Sequence, residues 1–277
     1  MRRFLIPILI CASAALALGQ DEGQRLKVEA IRGKGPIRDA AAFEGATATK
    51  VALLPQVVTT PFHMQPSFTE VSVRGVRNRD HAAFLLEWAD ATPDWRTSID
   101  HFGDAIAIAF PMATDPLPSP TMGNPKGRVH ILQWRADFQS DVEKGAITIR
   151  ELYPNAYKAD LYHEDLVPGD AGKEYAVAKK AGNPASQRAP SSVQELVAEG
   201  LGSLTPTGAT SAQGVGRHDE KGWHVVISRP LAGDGVKSAN LAPGSASQLA
   251  IAAWDGSKGE VGARKSWFGW LPLEIAK

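Results

Sequence analysis

Two side chains of this sequence combine a potential metal-binding atom with a setting suited to a flat, apolar ligand. Met122 lies in the proline-rich segment 116–125, between two apolar strand-like runs, and a thioether sulfur can bind iron. Lys265 lies between a glycine-rich turn and the aromatic segment 267–270. A lysine binds iron only as the neutral amine, which requires a pKa lowered by burial and by the metal's own charge. Both residues are therefore candidate iron ligands.

Each candidate also has an ordinary structural interpretation. A methionine in such a loop is commonly a hydrophobic plug, and most lysines are exposed to solvent. Met112 and Met64 are rival methionines, and Met112 follows the end of a strand-like run. The seven histidines are scattered singly, with no i, i+2 or i, i+4 pair to hold a metal. Residue types alone leave a structural role and an iron-binding role open.

The composition argues against several other classes of protein. The 277 residues carry 30 basic and 30 acidic side chains, so no positive surface is expected for nucleic acid. One cysteine excludes a disulfide framework, a thiolate zinc site and a cysteine-bound iron–sulfur cluster. No His-Glu-x-x-His, Gly-x-Ser-x-Gly or Walker motif occurs. The motifs therefore give no support to hydrolase or nucleotide-dependent chemistry.

The first nineteen residues have the pattern of a secretory signal peptide. Arg2 and Arg3 precede an apolar run over 4–18, which ends in small residues and is too short to span a membrane. We therefore predict a signal peptide over 1–19, a mature chain over 20–277 and a periplasmic location. Cleavage removes Cys11, so the mature chain offers iron only methionine, lysine or histidine and cannot attach a haem covalently.

The mature chain is predicted to be a mainly β, antiparallel β-sandwich with a few short helices, forming one domain over 20–277. Its 26 glycines and 19 prolines indicate many turns. Strand-like runs cover 71–76, 82–88, 104–110, 128–134, 146–152, 223–229, 248–254 and 266–273. In the run 104–110, isoleucine and phenylalanine alternate with Ala105, Ala107 and Ala109. That alanine face would let a bulky or flat group approach closely.

The segment 154–211 differs from the rest of the chain. Residues 173–181 and 191–199 have helix-like patterns, and Ser191 and Ser192 resemble an N-terminal cap before the second of them. We interpret the segment as an excursion from the sandwich. The alternative is a linker between two domains, although the strands after residue 220 are few for a separate domain.

Several segments, taken in order, resemble the haem-binding γ subunit of ethylbenzene dehydrogenase. This family also serves dimethylsulfide dehydrogenase, selenate reductase and chlorate reductase. The matching segments read AAFLLEWADAT and DAIAIAFP, then MGNP and VHILQWRAD, then GWHVVISRPL, AIAAWDGS and RKS. They span residues from about 45 to 273, which is nearly the whole mature chain. No single segment is diagnostic, but their order and number make the resemblance specific.

The resemblance implies a β-sandwich that holds one b-type haem without a covalent bond, with methionine and lysine as axial ligands. Met122 of the Met-Gly-x-Pro segment matches the methionine ligand, and Lys265 of the Arg-Lys-Ser segment is our choice for the lysine. Lys179, Lys180 and Lys221 are the alternatives. Met122 and Lys265 are thus the predicted cofactor-binding and metal-binding residues, and no catalytic residue is predicted.

The resemblance also implies a role and partners. In that family the γ subunit performs no substrate chemistry and passes electrons between a periplasmic cytochrome c and the iron–sulfur subunit of a molybdenum enzyme. The partners implied are that iron–sulfur subunit, the molybdopterin catalytic subunit and the cytochrome, with no nucleic acid and no membrane span in the mature chain. Arg128 and Arg135 could reach haem propionates, although surface ion pairs are their more ordinary use.

A competing interpretation is an exported carbohydrate- or ligand-binding β-sandwich module without haem. Trp88, Trp134 and Trp254 would then form a platform on which sugars stack. Their alternating positions within strands favour the core for all three. A structural subunit that has lost its haem is a third interpretation.

Overall fold

The computed structural model describes residues 24–145 and 189–277, together with 147, 149–152 and 154–155. The predicted signal peptide and the predicted helix 173–181 lie outside these residues. The described chain contains thirteen strands. They are β1 (Leu26–Ala30), β2 (Thr49–Ala52), β3 (Leu54–Pro55), β4 (Glu70–Arg77), β5 (His81–Trp88), β6 (Ala105–Pro111), β7 (Val129–Arg135), β8 (Val193–Ala198), β9 (Thr205–Pro206), β10 (Gln213–Asp219), β11 (Gly222–Pro230), β12 (Ala246–Trp254) and β13 (Ser266–Ile275).

Helices are short and few in this part of the chain. They are α1 (Ala136–Lys144) and α2 (Ile149–Leu152), with single 3-10 turns at Ala40–Phe43 and Gly256–Lys258. None of the helices within the described ranges has the length and apolar character needed to cross a bilayer.

The strands form one curled sheet in the order β10-β11-β5-β4-β1-β13-β12-β6-β7-β8-β9. The β10-β11-β5-β4 half and the β13-β12-β6-β7-β8 half pack face to face across a common core, and β1 joins them. Most neighbours pair in antiparallel fashion, whereas β1 pairs in parallel with both β4 and β13. The predicted mainly β, sandwich-like fold is confirmed, with this parallel join as a feature that strand alternation could not reveal.

The core between the two halves follows from the two-residue period of the strands. Phe84 and Leu86 of β5 face Ile106, Ile108 and Phe110 of β6, and all five are buried. Burial of each such side chain contributes roughly 1.5–3 kcal/mol to stability. Because side chains alternate along a strand, the burial of these residues determines which residues lie on the outer face of each strand.

The outer faces of the two halves are used differently. Outside β4, β5 and β11, a smaller apolar cluster that includes Ile37 and Phe43 covers the sheet. Outside β6, β7, β8 and β12, the sheet carries small or half-buried residues and faces a cavity. One outer face is thus filled by the chain itself, and the other is left open for a ligand.

Seven of the predicted strands are confirmed with small shifts at their ends, namely those now assigned to β4, β5, β6, β7, β11, β12 and β13. The predicted helix at 191–199 is wrong, because residues 193–198 form β8 and pair with β7 over its whole length. Ser191 does accept a hydrogen bond from the Val193 amide at 3.2 Å, as a cap would. The chain nevertheless extends, because Val193 and Glu195 are buried on one side while Leu196 packs into the outer cluster.

The predicted strand at 146–152 is also wrong for the residues that can be compared, since Ile149–Leu152 is one turn of helix. A short run of apolar residues fits both periods, and no described strand lies beside this one to provide hydrogen bonds.

Candidate functional site

The open face of the sheet forms the floor of a cavity of about 720 Å³. This volume lies within the range of about 300–1,000 Å³ typical of small-molecule and cofactor sites. Side chains of β6, β7, β8 and β12 supply the floor, and five loop segments supply the walls. The segments lie near residues 56–60, 97–103, 120–122, 201–204 and 260–263.

Alanines make the centre of this floor flat. Ala105, Ala107 and Ala109 of β6 line the cavity beside Ala250 and Ala252 of β12. The strand register pairs Ala109 with Ala250 and Ala107 with Ala252, so the methyl groups form adjacent rows. The alanine face of β6 therefore does point toward a space in which a flat group can lie against the sheet.

Hydrogen bonds fix the surrounding loops to the strands. Gln56 donates to the carbonyl of Ala263 at 2.9 Å and accepts from the amides of Val58 and Thr59 at 2.7 and 2.8 Å. The indole of Trp254 donates to the carbonyl of Gly262 at 3.1 Å. The loop between β12 and β13 is thus held by the segment that follows β3 and by Trp254 of the floor strand β12.

The proline-rich loop is anchored to β13. The Trp270 indole donates to the carbonyl of Pro118 at 2.8 Å, and its ring belongs to the same apolar cluster as the alanine floor. Pro120, Thr121 and Met122 then follow along the cavity wall.

Met122 is held in the cavity wall by an unusual backbone conformation. Its φ is 71°, in the left-handed region that residues other than glycine rarely adopt, and the next residue, Gly123, has φ 74°. A Cβ at Gly123 would lie 2.4 Å from the carbonyl oxygen of Gly127, so this position requires glycine. The Met122 carbonyl accepts a hydrogen bond from Gly200 at 2.7 Å. Backbone strain of about 1–3 kcal/mol is typically retained where a side chain must be aimed.

The rival methionines lie elsewhere. Met112 packs against the core between the two halves of the sheet, and Met64 is 66% exposed. Neither lines the cavity. Of the predicted methionines, the structure brings only Met122 to this site.

Lys265 lines the cavity near its other end and is half-buried. Its Nζ lies 5.4 Å from the centroid of the Trp254 ring, and within the described ranges it makes no hydrogen bond or ion pair. Burial lowers the pKa of Lys265 from its ordinary value, which favours the neutral amine. Lys221 is exposed in the turn between β10 and β11, and Lys179 and Lys180 fall outside the described residues.

Met122 and Lys265 approach the floor from opposite ends. Lys265 directly precedes Ser266, which pairs with Ala253, so it lies near the Ala105 end of β6. Gly123, beside Met122, lies against Ala198, which pairs with Val129 at the opposite end of β7. From Ala105 to Ala109 the strand rises roughly 13 Å. Two long, unbranched side chains thus border one flat surface from its two ends.

The polar residues of the floor lie on β7 and β8. Gln133 and Gln194 are directly opposite each other in the register and both line the cavity, as does Arg135. The Arg135 guanidinium pairs with Asp137 at 2.6 and 3.0 Å. Arg128 pairs with Glu199 at 3.0 Å and does not line the cavity. Both arginines therefore make the ion pairs expected of them, and only Arg135 does so at the site.

Sequence reasoning missed the two glutamines. The alternation of β7, with Val129, Ile131, Gln133 and Arg135 on one face, carried the signal for Gln133. Gln194 could not be found in the same way, because its segment had been interpreted as a helix.

Acidic groups occupy one rim of the cavity and the sheet end beneath it. Glu260 lines the cavity, accepts a hydrogen bond from Ser67 and lies 2.7 Å from His63 Nε2, and burial raises its pKa. Asp104 is fully buried and accepts from the Asp94 and Gly256 amides at 2.7 and 2.8 Å. Burial raises the pKa of Asp104 to about 7. The carboxylates of these residues are committed to the protein's own hydrogen bonds.

The three tryptophans considered as a sugar platform do not form an exposed surface. Trp88 and Trp134 are buried in the core between the sheet halves, where both rings pack against Trp223. Trp254 is buried and lines the cavity. The predicted core position is confirmed for Trp88 and Trp134, whereas Trp254 belongs to the outer cluster beneath the cavity.

Fold and site together define a β-sandwich protein with a flat-floored, mainly apolar ligand cavity on one outer face. The chain belongs to the family described as Ethylbenzene dehydrogenase, which it matches over residues 40–266.

Two relatives of known description are similar over most of the chain. The "Putative respiratory nitrate reductase heme subunit ORF7" of Haloferax mediterranei is 23% identical over 230 residues, covering 83% of this chain and 64% of that protein. The "Chlorate reductase subunit gamma" of Ideonella dechloratans is 24% identical over 226 residues, covering 80% of this chain and 71% of that protein. The match thus spans just under two thirds of the first relative.

Among solved structures, the chain is similar to a family 9 carbohydrate-binding module from Caldicellulosiruptor kristjanssonii in complex with glucose. The identity is 8%, the TM-score is 0.41, and the match covers 92% of this chain and 97% of that one.

Proposed function

We propose that this protein binds one haem in the alanine-floored cavity and serves as an electron-transfer subunit of a reductase complex. The observation that carries the proposal is that Met122 and Lys265, a thioether and an amine with lowered pKa, border one flat apolar surface. The relatives named as a heme subunit and as a chlorate reductase γ subunit support the same role.

The residues of the cavity fit a haem in shape and in chemistry. The alanine rows accommodate a planar macrocycle, and Val129, Ile131 and Leu196 extend the floor with apolar surface. No histidine or cysteine occurs among the described lining residues. Glu260, the carboxylate at the rim, is engaged by Ser67 and His63. Met122 and Lys265 are therefore the side chains that we propose as axial ligands.

A haem bound in this way supplies one-electron redox chemistry. Met122 and Lys265 would hold the group, and the apolar floor would exclude water from it. If both residues bind the iron, substrate would have no open position at the metal, so the proposed role is non-catalytic. The mature chain over 20–277 has no cysteine for covalent attachment, which favours a b-type haem.

The finer parts of the proposal concern partners and location. We infer an iron–sulfur subunit and a molybdopterin catalytic subunit as assembly partners, a cytochrome c as the external electron partner, and a periplasmic site of action for a single domain. The signal-peptide pattern of residues 1–19 and the family relationship support these inferences.

An absorption spectrum tests the central proposal. The full chain is expressed with its leader in a haem-replete bacterial host and is purified from the periplasm, which also tests export. We expect a reduced spectrum typical of a six-coordinate b-type cytochrome, with haem extractable by acid–ketone treatment because it is not covalently attached. A colourless protein that fails to bind added haem, and that is retarded on polysaccharide gels, would overturn the proposal in favour of a carbohydrate-binding module.

A further inference from the structure

The floor of the cavity is polar at one corner only. On β7 and β8 the residues facing the cavity change from Val129, Ile131 and Leu196 at one end to Gln133 and Gln194 in the next row. The Arg135 guanidinium follows one row further along β7. The alanine rows of β6 and β12 continue beside them without a polar side chain. A ligand that covers this floor meets apolar surface everywhere except at this β7–β8 corner.

Neither glutamine at the β7–β8 corner is satisfied by the protein. Both are half-buried, and among the described residues neither side-chain amide makes a hydrogen bond. Arg135 uses Nε and Nη2 for Asp137 and leaves its Nη1 without a hydrogen bond to any described residue. All three residues line the cavity, so these unused polar atoms are available to a ligand bound there.

Covering these amides with an apolar ligand edge would be unfavourable. An amide that is covered without a partner loses its hydrogen bonds to water, whereas a charged acceptor replaces them with a stronger hydrogen bond. Residues directly opposite on antiparallel strands have Cβ atoms about 4.5–5.5 Å apart, so both amides can reach the two oxygens of one carboxylate. The corner thus favours a ligand edge that carries carboxylates.

We propose that Gln133 and Gln194, with Arg135 Nη1 beside them, bind the carboxylate edge of the tetrapyrrole and so determine which way that edge is turned within the cavity. This inference rests on the proposed haem-binding function and adds to it the residues that read the ligand's acidic edge. The two glutamines are positioning and specificity residues for the ligand, and the Asp137 carboxylate keeps the Arg135 charge balanced.

The test compares two porphyrins that differ only in the proposed contact. The full chain, with haem removed, is titrated with ferric protoporphyrin IX and with its dimethyl ester, which has the same ring but no carboxylate charge. We expect the unmodified protein to bind the free acid at least about 10-fold more tightly than the ester, as loss of a charge-assisted hydrogen bond implies.

Isosteric variants change the charge of the β7–β8 corner and keep the size of its side chains. In Gln133→Glu/Gln194→Glu, the like charges should abolish or reverse the preference for the free acid while binding of the ester stays within about 2-fold. Gln248→Glu, on β12 outside the cavity lining, is the matched control and should keep the original preference.

The outcomes separate the two proposals. Equal binding of both porphyrins by the unmodified protein, or an unchanged preference in the double variant, overturns the role of the glutamines and leaves haem binding intact. Failure of the unmodified protein to bind either porphyrin overturns the proposed function, and this inference with it.

Discussion

At the residue scale, Met122 and Lys265 illustrate two ways of preparing a side chain for a ligand. Met122 is aimed by backbone conformation, since its positive φ is locked between Gly123 and the hydrogen bond from Gly200. Lys265 is prepared by its surroundings, since burial lowers its pKa and within the described chain it lacks a polar partner. Both arrangements cost free energy, which a bound ligand can offset.

Met122→Ala should remove the sulfur ligand without disturbing the core. We expect haem affinity to fall at least about 10-fold, the scale of even outer-shell changes at metal sites, and any haem retained to have a lower midpoint potential. Potentiometric titration and haem titration provide the measurements. Met112→Ala, which deletes the same side chain outside the cavity, is the control. An unchanged spectrum and potential in Met122→Ala would refute the assignment.

Lys265→Ala should give a five-coordinate spectrum at neutral pH, because no other described lysine lines the cavity. Acidification of the unmodified protein should produce the same spectrum once the amine is protonated. Burial lowers the pKa of Lys265 and stabilises its neutral form, so this change should occur well below the ordinary lysine pKa. Lys258→Ala, in the exposed turn of the same hairpin, should leave the spectrum as it was. A six-coordinate spectrum in Lys265→Ala would show that another side chain, and not Lys265, is the second ligand of the iron.

At the element scale, the residues on the outward face of a strand determine whether other parts of the chain cover the sheet or leave it open to a ligand. β6 turns isoleucine and phenylalanine to the core and alanine to the cavity, and its neighbour β12 repeats the choice. The alternation within β6 predicted that the alanines share one face that a flat group could approach, and the structure turns that face to the cavity. The loops that form the walls could not be predicted in this way, since their positions depend on contacts such as Gln56 to Ala263.

Ala107→Leu should block the cavity without harming the fold. The added side chain projects into the space above the floor, and overpacking of this kind costs about 1–3 kcal/mol, or about 5- to 150-fold in the dissociation constant for haem. Haem titration measures the affinity, and urea unfolding of the haem-free chain should show an unchanged midpoint. Ala246→Leu, exposed on β12, makes the same change outside the cavity and should bind haem normally. Normal binding by Ala107→Leu would exclude the floor as the haem site.

Predictions from the sequence were correct where a residue pattern was compatible with only one structure. Seven strands and the alanine face were predicted correctly, and the choice of Met122 and Lys265 stays a prediction that their shared cavity supports. The error at 191–199 arose because the serine cap is a local signal, whereas pairing with β7 is a contact between residues about 60 positions apart in the chain.

At the scale of the whole molecule, buried acidic groups make stability depend on pH. Burial raises the pKa of Asp104 to about 7, and it also raises the pKa of Asp90 and Asp94. A carboxyl group with a raised pKa binds its proton more tightly in the folded chain. Its contribution to the free energy of unfolding therefore decreases as the pH rises from about 4 to about 7. Burial lowers the pKa of His130. The contribution of His130 to the free energy of unfolding therefore decreases as the pH falls, which is opposite to the effect of the carboxyl groups.

Asp104→Asn should flatten this dependence. We expect the unmodified protein to lose stability relative to the variant as pH rises through that window. The variant is less stable at acidic pH, because both oxygens of Asp104 accept hydrogen bonds and the NH2 group of asparagine cannot accept one. Urea unfolding at several pH values measures the difference. Asp100→Asn, at an exposed carboxylate of the preceding loop, should follow the unmodified curve. Parallel curves for the unmodified protein and Asp104→Asn would contradict the expectation.

The position of β1 has a consequence for the order in which the chain can fold. This strand lies between β4 and β13, so the first described strand is completed only when the last one is available, and their paired residues are almost 250 positions apart. Contacts over such a distance form slowly, because a long loop must close before the pairing is rewarded. Until β13 arrives, β1 and β12 are left with open edges at the middle of the future sheet. A chain emerging from a ribosome or a membrane pore would therefore hold its two halves unjoined until β13 is released, and removal of β13 would divide the sheet at its centre.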